Sequence, residues 1–319
     1  MAKPTRPAVG LSIGATNMAA VTADRAVIRK SVLTLYGQRP PEVGVPSENP
    51  NIDEPGLVIT DFVNRVGDPS AVVASDGSTH RSEALVGDAL GALRYAATGG
   101  RTSAEPVAVS YPAHWHPAAV DALNTALNRN SEWSSNAPVT LLPDTAAAVN
   151  ALQSNPGLPA RGIIAVCDFG GSGTSLTLVD AANGYQPVAA TVRHADLSGD
   201  MMDQALLNHV VAGLSAAGSF DTSGTSAIGS LTRLRADCRR AKEQLSSSTV
   251  ATLTADLPGF RGDIQLTRAE LDEAIRQPLD TFVGVIQETL QRNGIEAGNL
   301  SAIAAVGGGA NIPAITTTL

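Results

Sequence analysis

Cysteine, lysine and long apolar runs are all scarce in this chain of 319 residues. Its two cysteines, Cys167 and Cys238, lie far apart and outside any metal-ligand spacing such as C-x-x-C, so we expect buried, reduced thiols. No apolar run approaches the length of a membrane helix, and the N-terminus lacks the apolar core of a signal peptide. These absences predict a cytoplasmic chain without a membrane segment. Lysine occurs only at Lys3, Lys30 and Lys242, and the net charge of −8 argues against nucleic-acid binding as the main role.

The length and the hydrophobic fraction of 43% predict about two globular domains with sizeable cores. We expect them at residues 1–157 and 158–319, joined by the connector Ser154–Gly162. The residue pattern of each half predicts three strands followed by alternating helices and strands. Each also opens with a hairpin whose turn is rich in glycine, which predicts a cleft between two similar α/β lobes. The last residues before Leu319 indicate a turn and a helix start, so we expect the natural protein to continue further.

Three local predictions concern elements near the glycine-rich turns. The segment Gln186–Arg193 is predicted as one strand that follows the second hairpin. Asp144 is predicted as the N-cap of a helix over 144–152. Thr267 and Glu270 have the spacing of a capping box, and Pro278 is predicted to break or kink the helix that they open.

The stretch AVCDFGGSGTSLTLVD (Ala165–Asp180) interrupts two apolar strands with an acid and a glycine-rich turn. Such a turn lets backbone N–H groups approach a phosphate without obstruction by Cβ atoms, and Asp168 is suited to a hydrated Mg²⁺ beside it. The turns SIGATN (Ser12–Asn17) and VGGGANIP (Val306–Pro313) repeat the pattern. One such turn alone more often reflects ordinary turn chemistry, but three of them favour an anion site.

Six segments, in chain order, resemble the nucleotide-binding domain of the DnaK-type heat-shock chaperone family, in the actin-like ATPase superfamily. They are VGLSIGATN, AVSYPAHW, LLPDTAAAV, VCDFGGSGTSLTLV, LRADCRRAKEQLSSST and VGGGANIP. The resemblance runs from about Ala8 to Leu319, but the chain stops short of the family's C-terminal helix. It implies an α/β, two-lobed actin-like ATPase fold with duplicated ribonuclease-H-like halves around a central cleft.

The same resemblance implies ATP or ADP with Mg²⁺ as cofactors. It implies Asp168 and Thr174 as catalytic residues, with Asp168 also as the metal ligand. The residues that it places against the nucleotide are Gly14, Ala15, Thr16, Asn17, Gly170, Gly171, Ser172, Gly173, Gly199, Lys242, Ser246, Gly307, Gly308, Gly309 and Asn311.

Around the metal ion and the adenine, the chain departs from the family pattern at five positions that are charged in the family. Ser12, Pro143 and Ser175 replace carboxylates that organise the metal ion. Glu243 and Asn311 replace the two arginines that sandwich adenine, and an acid cannot supply cation stacking. Because losing one positioned charge at a phosphoryl-transfer site commonly costs about 10²-fold in rate, we expect weak nucleotide binding and slow hydrolysis.

Two functions therefore stay open. The first is a chaperone-like nucleotide-binding domain with a weak ATPase activity. The second is a pseudo-ATPase that acts as an interaction or scaffold domain for an unknown protein partner. The family's water-orienting lysine falls in GALRYAATGGR, which has no lysine, and Arg94 and Arg101 are candidates to replace it. A sugar kinase on the same fold is disfavoured, because no carboxylate is a convincing base for an acceptor hydroxyl.

Overall fold

The computed structural model describes residues 8–100, 106–129, 133, 139–216 and 225–319, the first four of the last range by their backbone alone. The chain divides into two compact units, Met1–Gly157 (unit 1) and Leu158–Leu319 (unit 2). Among the described residues, no helix is both long and apolar enough to cross a membrane.

Unit 1 is a mixed α/β unit. Its strands are β1 Val9–Ser12, β2 Asn17–Val21, β3 Ala26–Lys30, β4 Leu33–Leu35, β5 Glu42–Val43, β6 Leu57–Ile59, β7 Val72–Val73, β8 Thr79–His80, β9 Val107–Tyr111 and β10 Val139–Pro143, and its helices are α1 Ser82–Thr98, α2 Pro117–Arg129 and α3 Asp144–Ser154. The main sheet has the order β10-β9-β1-β2-β3. Its first three strands are parallel and its last three form an antiparallel meander.

Unit 2 has the same kind of sheet with longer strands. Its strands are β11 Ile163–Phe169, β12 Thr174–Asp180, β13 Gln186–Pro187, β14 Val192–His194, β15 Val250–Leu257, β16 Phe260–Thr267 and β17 Leu300–Val306, and its helices are α4 Gly199–Ala216, α5 Thr225–Leu245, α6 Arg268–Arg292 and α7 Pro313–Thr318. The sheet order is β13-β12-β11-β17, and β14 also pairs with β12. β11 is antiparallel to β12 and parallel to β17.

Each unit has its own apolar core. In unit 1, Val9, Leu11, Val107 and Val109 of the parallel strands pack with Leu90 and other residues of α1. In unit 2, the central strands β11 and β12 are buried over almost their whole length, because helices cover the sheet.

Helix α5 joins the core of unit 2 through one apolar stripe of residues spaced three to four positions apart. Leu234, Cys238, Ala241 and Leu245 are all buried. Both cysteines of the chain are free and buried, as predicted, and burial raises the pKa of each thiol to about 12.

The capping box at the start of α6 is confirmed. The Thr267 hydroxyl accepts from the backbone N–H of Glu270, and the Glu270 carboxylate accepts from the backbone N–H of Thr267. The predicted break at Pro278 is wrong, because α6 is one helix over Arg268–Arg292. Ile275, Leu279 and Phe282 anchor both sides of the proline in the core, and their burial offsets a helix-interior proline cost of about 3 kcal/mol.

Two further local predictions are wrong. The residue that caps α3 is Pro143, and the Asp144 carboxylate instead accepts from the backbone N–H of Ala113 at 3.0 Å. The strand predicted over Gln186–Arg193 is two short segments, β13 and β14, each paired with β12. Pro187 ends β13, which lies at the edge of the sheet, the kind of strand in which proline is tolerated.

Candidate functional site

The hairpin of β11 and β12 in unit 2 presents the glycine-rich loop 170–173. The register pairs Phe169 with Thr174, and the backbone N–H of Gly170 closes the loop by donating to the carbonyl of Gly173 at 3.0 Å. The same loop is joined to the N-terminus of α4. Gly199 N–H donates to the Gly170 carbonyl at 3.0 Å, and Asp200 N–H donates to the Gly171 carbonyl at 2.8 Å. The loop and the positive end of an 18-residue helix therefore form one backbone-linked group.

Lys242 of α5 lies beneath this junction. Its ammonium group donates to the Gly199 carbonyl at 2.8 Å and forms an ion pair with Asp203 Oδ1 at 2.6 Å. Arg239 Nε contacts the other Asp203 oxygen at 2.8 Å, so this fully buried carboxylate has two cationic partners. A Cβ atom on Gly199 would lie only 3.2 Å from Lys242 Nζ and 3.3 Å from Gly171 Cα, which explains the glycine there.

A second glycine-rich segment, Gly307–Gly309, follows β17 and packs against the end of β11. Gly307 has φ +83°, and a Cβ atom there would overlap Asp168 Oδ1 and lie 2.7 Å from the Phe169 carbonyl oxygen. Close approach to β11 therefore requires glycine at this position. Gly308 is exposed, and the exposed Asn311 amide donates to its carbonyl at 3.2 Å.

The strand register brings Asp168, Ser175 and Arg193 into one row. Asp168 of β11 pairs with Ser175 of β12, and Ser175 pairs with Arg193 of β14. Directly paired residues point to the same face of a sheet, so the three side chains share a face. Burial raises the pKa of the Asp168 carboxyl above its ordinary value, and the positive charge of Arg193 opposes that shift.

Arg193 is the residue of this site that the sequence pattern does not reveal. Its guanidinium donates to Ser172 Oγ at 2.8 Å and to Ser175 Oγ at 3.1 Å. It also lies against Gly173, where a Cβ atom would be 2.7 Å from Arg193 Nε. The residues between β12 and β14 give no local signal for this contact. The contact becomes apparent only from the pairing of β14 with β12, which brings Arg193 beside Ser175, 18 positions earlier in the sequence.

Two other predicted site residues have internal hydrogen-bond partners. Thr174 is fully buried, and its hydroxyl donates to the Leu197 carbonyl at 2.7 Å. Ser246 follows the C-terminus of α5, and its hydroxyl donates to the Glu243 carbonyl at 2.7 Å. Glu243 itself is exposed.

In unit 1 the turn between β1 and β2 contains Gly14, Ala15 and Thr16, and Asn17 begins β2. Ser31 supports this turn. Its hydroxyl donates to the Gly14 carbonyl at 2.6 Å, and its N–H donates to the Thr16 carbonyl at 2.9 Å.

The other unit 1 positions named from the sequence lie on separate elements. Ser12 ends β1 and is exposed, and Pro143 ends β10. Arg94 lies in α1, with its guanidinium 5.4 Å from the centre of the Trp133 ring, whereas Arg101 lies outside the described residues.

The donor set around the unit 2 hairpin suits a magnesium ion that is held by one carboxylate together with phosphate oxygens and water, and not by the protein alone. Mg²⁺ prefers oxygen ligands in a near-octahedral arrangement, with carboxylates foremost among protein groups. The row beside the loop offers one carboxylate, Asp168, next to the hydroxyl of Ser175 and the cation of Arg193. Across the part of the chain that the structure describes, no group of three or more His, Cys, Asp or Glu residues could hold a metal ion.

Comparison with known proteins identifies the kind of domain that carries this site. Residues 143–319 match the Hsp70 protein family, which is more than half of the chain. The fold is accordingly of the α/β, actin-like ATPase class. The chain belongs to the Hsp70 protein family, and its architecture is that of an Hsp70-type nucleotide-binding domain.

The chain is similar to several curated heat-shock proteins, but it spans only a quarter to somewhat over a third of their length. It is 30% identical to a heat shock cognate HSP70 protein of Trypanosoma brucei brucei over 159 residues, which are 49% of this chain and 23% of that protein. It is 30% identical to a heat shock protein of Pyricularia oryzae over 179 residues, 56% of this chain and 29% of that protein. A heat shock protein 70 homolog of Schizosaccharomyces pombe is 24% identical over 214 residues, 66% of this chain and 37% of that protein.

Proposed function

We propose that this domain binds ATP or ADP and that the loop 170–173 of unit 2 holds the phosphate groups. The observation that carries the proposal is the backbone linkage of this glycine-rich loop to the N-terminus of α4. A glycine-rich loop directs N–H groups toward an anion. The N-terminus of α4, whose first N–H groups donate to the loop and to Ser198, adds the positive potential of the helix dipole. Membership of the Hsp70 protein family supports a nucleotide as that anion.

Within this proposal the residues of the loop have different roles. The N–H groups of Gly170 and Gly199 are already donated inside the protein, so these residues shape the loop. Gly171, Ser172 and Gly173 are the proposed phosphate donors. Thr174 fixes the hairpin to Leu197 and positions the loop without contacting the phosphates.

The adenosine portion is assigned to the segment Gly307–Gly309, with Asn311 beside it. Ser246 is assigned to the same end of the nucleotide. Lys242 is assigned a supporting role beneath the loop, where its ammonium group donates to the Gly199 carbonyl. For unit 1 the proposal assigns phosphate binding to the turn Gly14, Ala15 and Thr16 and to Asn17 at the start of β2, on the strength of the sequence pattern alone.

Hydrolysis, where it occurs, is proposed to be slow. Asp168 is the carboxylate available beside the loop to orient an attacking water molecule, and Ser12, Pro143 and Ser175 supply no further one. Asp168 would hold a hydrated Mg²⁺ ion together with the phosphate groups, and that ion would neutralise part of their charge. We also propose a cytoplasmic location, which the two buried, unpaired thiols support.

Isothermal titration calorimetry with ATP tests the proposal, using two glycines as a matched pair. A Cβ atom added at Gly308 or at Gly298 would meet open space, so a side chain can begin at either position without a clash at its Cβ. We expect the wild type to bind ATP with a micromolar Kd. Gly308→Leu fills the space assigned to adenosine and weakens binding by about tenfold or more, whereas Gly298→Leu binds as the wild type does.

The alternative function is a pseudo-ATPase that serves as an interaction or scaffold domain for a protein partner. Its support is the exposure of Glu243 and Asn311, which offer adenine no cationic partner. The same titration separates the two functions. An absence of heat at millimolar ATP, from wild-type protein with an intact unfolding transition, contradicts nucleotide binding and favours the scaffold.

A further inference from the structure

Arg268 is a cation in the first turn of α6, where the helix dipole disfavours positive charge. The capping box of Thr267 and Glu270 already completes this helix start, so α6 itself does not need the arginine. A residue that opposes a local rule of helix formation indicates a compensating gain elsewhere. Here the gain lies at the end of the neighbouring helix α5.

The guanidinium of Arg268 holds the turn that follows α5, residues 245–248. Its Nε donates to the Leu245 carbonyl at 2.9 Å. One terminal nitrogen donates to the Ser248 carbonyl at 3.0 Å and, at 3.5 Å, to the Ser246 carbonyl. All three acceptors belong to the backbone, so this side chain fixes the course of the main chain at the end of α5.

The turn 245–248 contains no glycine, the residue that most often ends a helix. Side chains satisfy the last carbonyls of α5 instead. The Ser246 hydroxyl donates to the Glu243 carbonyl at 2.7 Å, and Arg268 supplies the donor for Leu245. The positive charge also lies at the negative end of the α5 dipole. Loss of the guanidinium would therefore leave the Leu245 carbonyl without this donor and loosen the turn.

The turn 245–248 lies one helical turn beyond the support of the proposed phosphate loop. Lys242 donates to the Gly199 carbonyl at 2.8 Å, and the Gly199 N–H donates to the Gly170 carbonyl of that loop. Ser246 follows Lys242 by four residues, a rise of about 6 Å along the same side of a helix. Because the Ser246 proton is donated within the turn, its oxygen can meet a ligand only as an acceptor. An acceptor suits the hydroxyl and amino groups of a nucleoside and not phosphate oxygens.

We propose that Arg268 is a positioning residue for the nucleoside end of the ligand. It holds the turn 245–248 so that the site prefers a nucleoside di- or triphosphate to a bare polyphosphate. The inference rests on the proposed function and adds the segment that supplies this preference. Arg268 contacts no part of the ligand and acts through Ser246.

Calorimetric titrations of the full chain with two probes in Mg²⁺ test the inference, each well below the unfolding midpoint of the protein used. The probes are ATP and inorganic tripolyphosphate, which lacks the nucleoside. We expect the wild type to bind ATP more tightly than tripolyphosphate. Arg268→Gln is expected to weaken ATP by about tenfold, the range of a hydrogen bond to a charged group, and to leave tripolyphosphate binding unchanged. Arg276→Gln removes an exposed charge, paired with Glu273, from the same helix and is expected to bind both probes as the wild type does.

A double-substitution cycle tests whether Arg268 acts through the turn. Ser246→Ala is expected to weaken ATP and not tripolyphosphate, and adding it to Arg268→Gln should weaken ATP no further. Additive losses in the double variant would overturn action through Ser246.

Arg268→Lys keeps the charge but loses the planar fork that spans the carbonyls, and it provides the test if Arg268→Gln does not fold. It is expected to lose part of the preference for ATP while tripolyphosphate binding stays unchanged. If ATP and tripolyphosphate weaken equally in the variants of Arg268, the arginine is only a structural clamp and the inference is overturned.

The outcomes also separate this inference from the proposed function. A preference for ATP that persists in Arg268→Gln overturns the inference and leaves nucleotide binding intact. Wild-type protein that binds ATP and tripolyphosphate equally overturns the inference and leaves only the phosphate part of the proposed site. Wild-type protein that binds neither probe overturns both.

Discussion

Asp168 stands at the point of the hairpin where stability and binding make opposite demands. Its carboxyl is packed against Gly307 at the end of β11, and burial disfavours its charged form. A residue chosen for folding alone would be neutral at this position. Its retention as an acid beside Arg193 is consistent with a role in binding or in orienting water.

We expect Asp168→Asn to raise the thermal unfolding midpoint at neutral pH. The folded-state pKa of Asp168 is raised, so its contribution to stability is present below the unfolded-state pKa of about 3.9 and is lost as pH rises through the folded-state value. The neutral amide avoids that loss. Calorimetric unfolding of the wild type and of Asp168→Asn at acidic and at neutral pH measures the sign of the difference between their unfolding midpoints. The gain of the variant should shrink as the pH falls, and a variant less stable than the wild type at pH 7 would contradict this account of the carboxyl.

At the scale of elements, sequence predicted what local chemistry dictates. The hairpin of β11 and β12 followed from two apolar runs and a glycine-rich turn, and the start of α6 followed from the Thr267 and Glu270 pair. The predicted break at Pro278 was wrong because buried residues on both sides of the proline hold the helix in the core. The local cost of a proline does not include these core contacts. The contact of Arg193 with the loop was not predicted, because it depends on the pairing of β14 with β12 and local sequence does not reveal strand pairing.

Thr267→Ala should destabilise the protein by about 1 kcal/mol, within a range of about 0.5–2 kcal/mol, because it removes the side-chain acceptor for an N–H of the first turn of α6. Denaturant unfolding measures the change. Thr281→Ala is the matched control, because Thr281 is exposed within the same helix and its hydroxyl donates only to the Gln277 carbonyl. That control should be neutral or slightly stabilising, since alanine is the better helix former. Equal losses in the two variants would show that the cap contributes nothing.

At the scale of the whole molecule, the net charge of −8 opposes the approach of a polyanion. The phosphate binding that we propose would therefore depend on local features, namely the loop 170–173 and the N-terminus of α4. Composition gives the sign of the net charge, but it cannot locate the loop or the helix N-terminus that the proposal uses. The glycine-rich turns were visible in the sequence, whereas the linkage of the loop 170–173 to α4 is seen only in the folded chain.

The most direct test of phosphate binding at the unit 2 loop is to follow its backbone amides by nuclear magnetic resonance. In a uniformly ¹⁵N-labelled sample titrated with ADP, the amide signals of Gly171, Ser172 and Gly173 should shift together along one saturating curve with a micromolar midpoint. The amide of Gly298, which lies outside the proposed site, should stay in place. If ADP saturates the protein and these three amides do not move, nucleotide binds elsewhere and the central claim is contradicted.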